Sequence, residues 1–399
     1  MSAAAQYNKR TCLQKNGMIS KKLPLYSDLY VFLTIIATLI LIGCLFVYSS
    51  SSVYALETFG SSLFFVKRQL VGLVIGLIAL CIGRALPLNF IRNNAPFLFI
   101  ASLGLVIMTL LPSFSRTIHG SSRWLSCAGF SFQPSELLKI TLLFYVAYFL
   151  EKKTQKVTIA LKQFIPFSIL ISIMCIALLK QPDFGMTVTL LLTTIILFFC
   201  AHAQIKHVVM TLFALGVSAI FLIIFRPYRL QRVLTFLNPW QDPKGAGFQI
   251  IQSLIAIGSG GWLGTGIAHS RQKFFYLPMQ HTDFIFSIIA EETGLVGCLF
   301  LITLFILLLY FGIRIAHQLT STFNTLVVLG FMILIHLQTV MNMAVATGLA
   351  PTKGVGMPFI SYGNTSLVCY LFMIGVIINM VVTQSSLHSD WVPNRREMK

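Results

Sequence analysis

Acidic residues are scarce in this chain of 399 residues: 11 Asp and Glu stand against 29 Lys and Arg, and charged residues make up only 10% of the total. A soluble domain of this size would carry about 25% charged residues, so a water-soluble fold is excluded. The eight cysteines form no CxxC pair and lie mostly within apolar runs, which argues against a zinc site or a disulfide framework. No small-residue cleavage site follows an apolar core in the first 28 residues, so the first apolar run reads as an anchor. None of the glycine clusters ends in Gly-Lys-Ser or Gly-Lys-Thr, as a phosphate-cradling P-loop requires. The net charge of +18 is not gathered into a basic helix or an aromatic-interleaved patch, which excludes nucleic acid as a partner.

What is abundant is apolar: 56% of residues are hydrophobic and the mean hydropathy is +0.84. Runs of roughly the 17 to 25 residues needed to span a bilayer fall near 29–49, 69–87, 95–112, 134–150, 164–180, 186–201, 207–225, 284–312, 323–346 and 366–384. The expected fold is an all-α polytopic membrane protein of about ten transmembrane helices, with a large extracytoplasmic loop between helices 7 and 8. Three segments follow from this: a basic tail over 1–28, a membrane domain over 29–384 that includes the loop at 226–283, and a tail over 385–399. Lys9, Arg10, Lys15, Lys21 and Lys22 at the amino end, Lys152, Lys153, Lys156 and Lys162 after the fourth run, and Arg395, Arg396 and Lys399 place both termini in the cytoplasm. The large loop keeps Arg226, Arg229, Arg232, Lys244, Arg271 and Lys273 against Asp242, an outward excess of positive charge that suits an anionic ligand.

With so few carboxylates, each near the membrane surface counts. Asp283 follows His281 and Thr282 at the start of the eighth run, where it reads either as the helix N-cap or as a general base. Arg226, Arg229 and Arg232 recur every third residue, either snorkelling to headgroups or binding a phosphate or diphosphate. Glu136 and Lys139 share a helix face and can pair, as a neutralised couple or as the wall of an outer cavity. Asp183 in QPDFG reads as a turn former that caps the next helix. Glu291 and Glu292 lie two turns beyond Asp283. The Gly-, Pro- and hydroxyl-rich stretch from Thr347 to Ser366 suits re-entrant packing, with Lys353 a further phosphate contact.

The segments SRWLSCAGFSFQPSELLK, QPDFG, NPWQDPKGAGFQIIQSL, QKFFYLPMQHTDFIFSIIAEETG and APTKGVGMPFISYGNTS, in this order over some 250 residues, resemble the shape, elongation, division and sporulation proteins. NPWQDP, IQSL, SRQKFFYLP and PTKG are more like the division member, or its sporulation relative, than the elongation member. The resemblance implies a ten-helix glycosyltransferase of the bacterial inner membrane that polymerises lipid II into glycan strands at the outer face, at the septum. It implies Asp283 as the essential acid, with inversion at the sugar and a lipid diphosphate leaving. Candidate substrate-binding residues are then Arg229, Arg232, Gln252, Ser253, Lys273, His281, Thr282, Lys353 and Ser361. Arg123, Trp124, Glu136, Lys139, Asp183 and Glu291 are candidates for cavity support. No cofactor is evident, although Mg2+ or Mn2+ could assist the diphosphate. Implied partners are lipid II, the growing strand, a class B penicillin-binding protein, divisome regulators and membrane lipids. The chain departs from the family pattern at His119, Ala268, Arg271 and Asn364. Rival expectations are a lipid II flippase, although no internal repeat is evident, and a noncatalytic division scaffold.

Overall fold

The computed structural model describes residues 2–111, 115–118, 121–127, 130–154, 161–201, 235–245, 247–273, 278, 280–352 and 354–387. Apolar runs give the helices α1 (Ser2–Phe59), α2 (Phe64–Ala85), α3 (Leu88–Met108), α4 (Pro134–Thr154), α5 (Leu161–Lys180) and α6 (Phe184–Cys200). They are followed by α7 (Phe248–Gly260), α8 (Ile285–Gln318), α9 (Thr322–Ala346) and α10 (Asn364–Leu387). Nine of the ten expected spans fall on these helices, and the run at 207–225 lies outside the described residues. By length and composition, six described helices can cross a membrane: α1 from Leu25, α2, α3, α8, α9 and α10 to Ser385. The protein is a multi-pass membrane protein. The helix α1 runs through the basic segment 2–28 without a break.

Two kinds of packing hold the bundle. The helices α2 and α10 approach through small residues, since a Cβ on Gly83 would fall 2.4 Å from Phe372 O and one on Gly375 2.1 Å from Leu80 O. Asn364, where the family pattern has glycine, points its Oδ1 at Gly72 of α2, and a Cβ there would stand 2.8 Å away. The helix α4 is buried at almost every position from Pro134 to Ala147, with Tyr145 stacked on Phe99 of α3 at 4.9 Å and Thr141 bonded to Ser102 at 2.6 Å. At the end of the bundle away from Asp283, Arg314 meets Asp28 at 3.1 Å and Arg92 meets Glu151 at 2.7 Å.

The all-helical expectation holds for the membrane domain and misses one element. The connection between α3 and α4 carries a three-stranded antiparallel sheet, β1 (Ser115–Ile118), β2 (Ser121–Cys127) and β3 (Phe130–Phe132), with Leu125 opposite both Ser115 and Phe132. Backbone leaving a helix bundle still needs hydrogen-bond partners, and three short strands supply them to one another. The strand β2 thereby carries Arg123 and Trp124 to the end of the bundle where α4, α6, α8 and α10 begin.

Candidate active site

The helix α8 begins at Ile285, its N-cap is Phe284, and no side chain caps it. The expectation of Asp283 as N-cap is therefore corrected: the helix starts one residue too late. The Asp283 carboxylate lies near another segment. A methyl group built on Gly354 would stand 3.2 Å from Arg123 Nη1 and 3.7 Å from Asp283 Oδ2. One bare backbone position thus separates a guanidinium from a carboxylate that lie 160 residues apart in the chain. The glycine of the PTKG segment leaves room there that any side chain would fill.

Arg123 is held from the other side. Its Nη2 donates to Pro182 O at 2.6 Å, its Nε to Gln181 O at 3.3 Å, and Nε lies 3.5 Å from Asp183 Oδ2. Asp183 caps α6, as expected, by accepting from the Met186 amide at 3.2 Å. Burial pushes the Asp183 carboxyl up from the usual carboxylate range, while the Arg123 guanidinium and the Met186 amide pull it down. QPDFG is therefore both a helix cap and the seat of the arginine beside Asp283. Trp124 pairs with Arg116 across β1 and β2 and is half-buried.

The segment from Thr347 to Gly363 is non-helical, as expected, and grips the Asp283 turn. Ser361 Oγ donates to Thr282 O at 2.6 Å and accepts from the Met357 amide at 2.7 Å. The Tyr362 amide donates to His281 O at 2.9 Å. Asn342 of α9, which the sequence did not single out, donates through Nδ2 to Asp283 O at 2.8 Å and Val355 O at 2.9 Å. An amide side chain within an apolar helix, as Gln338 also is, was the available signal for it.

His281 is 9% exposed. It is buried in an aromatic box with Phe65 at 4.4 Å, Tyr362 at 5.8 Å and Tyr54 at 6.0 Å, and its Nδ1 finds no partner. Burial lowers its pKa to about 4. With 6.5 as the unfolded value, the unfolded chain takes up a proton between pH 6.5 and about 4 that the folded protein refuses. Stability from this group is complete above pH 6.5 and is lost as pH falls towards 4, about 3 kcal/mol in all. Thermal unfolding of His281→Phe in detergent is expected to show a flatter pH dependence over this window than wild type; equal slopes would contradict the assignment.

Below the Asp283 turn, Glu136 and Lys139 pair as expected, at 2.5 Å, and Lys139 Nζ also donates to Tyr370 OH at 3.2 Å. Tyr370 donates in turn to Gln338 Oε1. The group joins α4, α9 and α10 in the interior, with Lys139 only 1% exposed.

Ser253 and Lys273 are both placed away from an open surface. Ser253 bonds to Ser287 at 2.5 Å and donates to Ala346 O at 2.6 Å, locking α7 to α8 and α9. Gln252, its neighbour on α7, is half-buried. Lys273 Nζ is buried, donates to Ala268 O and lies 4.0 Å from Glu292. Glu292 accepts from Ser49 at 2.6 Å, while Glu291 accepts from the Arg271 amide at 2.8 Å and from Ser270 Oγ. These acids anchor the loop 261–273 to α8. Arg229, Arg232 and Lys353, with Arg226 and His119, lie outside the described residues. Among the described residues no group of three or more His, Cys, Asp or Glu is placed to hold a metal.

The glycines after α7 serve close approach. The helix α8 breaks at Gly294 (φ 65°, ψ −163°), and the Leu295 and Val296 amides bond instead to Gly261 O and Trp262 O at 2.9 and 3.2 Å. A Cβ on Gly264 would lie 2.2 Å from Glu292 O. Ala268, where the family pattern has glycine, takes φ 66°. Ala268→Gly is therefore expected to stabilise the protein by about 1 kcal/mol, read as a higher Tm; a lower Tm would contradict this.

A family model described as "Cell cycle protein", covering the FtsW, RodA and SpoVE proteins, matches residues 30–386. The chain is 39% identical over 353 residues to the probable peptidoglycan glycosyltransferase FtsW of Trichlorobacter lovleyi, covering 88% of this chain and 92% of that one. It is 40% identical over 356 residues to stage V sporulation protein E of Bacillus subtilis, covering 87% and 96%. A chain from a solved structure, described as the structural coordination of polymerization and crosslinking by a peptidoglycan synthase complex, matches with a TM-score of 0.72. Its identity is 30%, over 89% of this chain and 98% of that one. With the motifs in order and the fold shared along the chain, this protein belongs to the FtsW/RodA/SpoVE family.

Proposed function

We propose that the chain is a peptidoglycan glycosyltransferase that polymerises lipid II at the outer face of the bacterial inner membrane during septal division, with both termini in the cytoplasm. The observation that supports it best is the meeting of Asp283, Arg123 and Gly354 at one end of the bundle. Strand growth removes a proton from an acceptor sugar hydroxyl while the donor sugar leaves its lipid diphosphate. Asp283 takes that proton as general base. Arg123, with Arg229, Arg232 and Lys353, offsets the negative charge growing on the diphosphate. An α-linked donor and a β-linked product require one displacement with inversion, so one base suffices and no covalent intermediate forms. Mg2+ or Mn2+ would be carried by the diphosphate oxygens of the substrate. Asn342 and Ser361 hold the backbone of the turn, so that the carboxylate is positioned before the substrate arrives.

The relative described as a complex coordinating polymerization and crosslinking supports a crosslinking partner here too; we propose that it is a single-span class B penicillin-binding protein and that divisome regulators act with it. The test is strand formation from labelled lipid II by the purified chain with its cognate transpeptidase, whose crosslinking is blocked. Labelled strands are the expected result. Transfer of lipid II across vesicles without strands would replace this reading by a flippase, and neither activity, in a complex that still forms, would leave a scaffold.

A further inference from the structure

A polar cavity lies beside the break in α8. It measures about 460 Å3, within the range of ligand pockets, and is lined by Ser259, Thr265, His269, Arg271 and Glu291. Its walls are rigidly stitched: the Thr265 amide and hydroxyl donate to Glu291 O at 2.9 and 3.1 Å, and the His269 amide donates to Gly266 O at 3.1 Å. The charges within it are distinctive. Lys273 and Glu292 are turned towards each other. Two charges remain for the cavity, and neither makes an ion pair among the described residues: the exposed guanidinium of Arg271, and the carboxylate of Glu291, which accepts only from the Arg271 amide and the Ser270 hydroxyl. A cavity with one guanidinium and one carboxylate, neither in an ion pair among the described residues, suits a ligand that carries both signs at short range.

The surroundings indicate which ligand. Trp262 and Leu263 are 74% and 80% exposed, and Ile255, Ile267, Leu295 and Val296 join them in one apolar rim. Trp262 O accepts from the Val296 amide at 3.2 Å, so this rim adjoins the membrane-crossing helix α8. Exposed Trp at that level belongs to the interface between headgroups and acyl chains. A polar pocket that opens into such a rim receives a headgroup while the attached chains stay in the bilayer.

We propose that this cavity binds the headgroup of a zwitterionic glycerophospholipid with a primary ammonium, its phosphate on the Arg271 guanidinium and its ammonium on Glu291. The bound lipid fastens the loop 261–273 to the bilayer at the joint with α8. The inference is independent of the glycosyltransferase reading, because binding alone tests it.

The purified full-length protein, in nanodiscs of phosphatidylcholine with added phosphatidylethanolamine or phosphatidylglycerol, is extracted and its retained lipid counted by native mass spectrometry. Wild type is expected to retain one phosphatidylethanolamine. Arg271→Ala, a surface change, is expected to weaken retention at least tenfold with an unchanged Tm, and His269→Ala to weaken it less. Phosphatidylglycerol retained as well as phosphatidylethanolamine would overturn the zwitterion assignment. Displacement by a polyprenyl diphosphate at equal concentration would assign the cavity to the substrate instead. Equal retention by wild type and Arg271→Ala would remove the site.

Discussion

Asp283→Asn is expected to lower strand formation by about 10²- to 10⁴-fold, the span over which a positioned general base contributes. The substitution keeps the size of the side chain and removes its basicity. The backbone of the turn is held independently of the carboxylate, through the bond from Asn342 to Asp283 O and the bond from Ser361 to Thr282 O. The variant should therefore fold, bind its transpeptidase and unfold at the wild-type temperature while making strands at that reduced rate. The assay counts labelled strands from lipid II under single-turnover conditions, with crosslinking blocked. A rate above a tenth of wild type, at equal folding, would remove Asp283 as the base. Arg123→Ala is not an equivalent test, since that change also leaves the buried Asp183 carboxylate without its cation.

The second large effect is on stability. Lys139→Ala leaves the Glu136 carboxylate buried without its partner, and breaking a buried pair from one side costs about 3 to 5 kcal/mol. Lys139 also donates to Tyr370, so its loss disturbs the contact of α4 with α9 and α10 as well. Thermal unfolding in detergent should show a large fall in Tm for Lys139→Ala. The double change Lys139→Met with Glu136→Gln, which removes both charges and keeps their volume, should recover much of it. A double variant as unstable as the single one would show that the pair does more than neutralise itself. A loss below about 1 kcal/mol for Lys139→Ala would contradict a desolvated pair.

Local chemistry carried the sequence reading furthest where the relevant contact lies within a turn or two of the chain. The pairing of Glu136 with Lys139 follows from a spacing of three on one helix, and the Asp183 cap from its place before Phe184. The same local logic failed at Asp283. A carboxylate just before an apolar helix satisfies the rule for a cap, yet the helix starts at Ile285 and the side chain turns to Arg123 and Gly354. Ser253 and His281 were candidates because they stand in the motifs that carry the family resemblance. In the fold each is consumed in packing, one in a joint of three helices and the other among aromatic rings.

Hydropathy and the scarcity of charge by themselves determined a multi-pass helical membrane protein, because the bilayer leaves so few backbone solutions that composition alone selects among them. The ordered motifs determined the family. Only the tertiary structure decided that Arg123, on a strand the sequence concealed, meets Asp283 across Gly354. It also decided that Asn342 holds the same turn and that Glu291 and Glu292 fasten a loop. These contacts join segments tens to hundreds of residues apart, and nothing in the local pattern of either segment encodes its partner. They come into being when the bundle packs and its glycines let one backbone approach another.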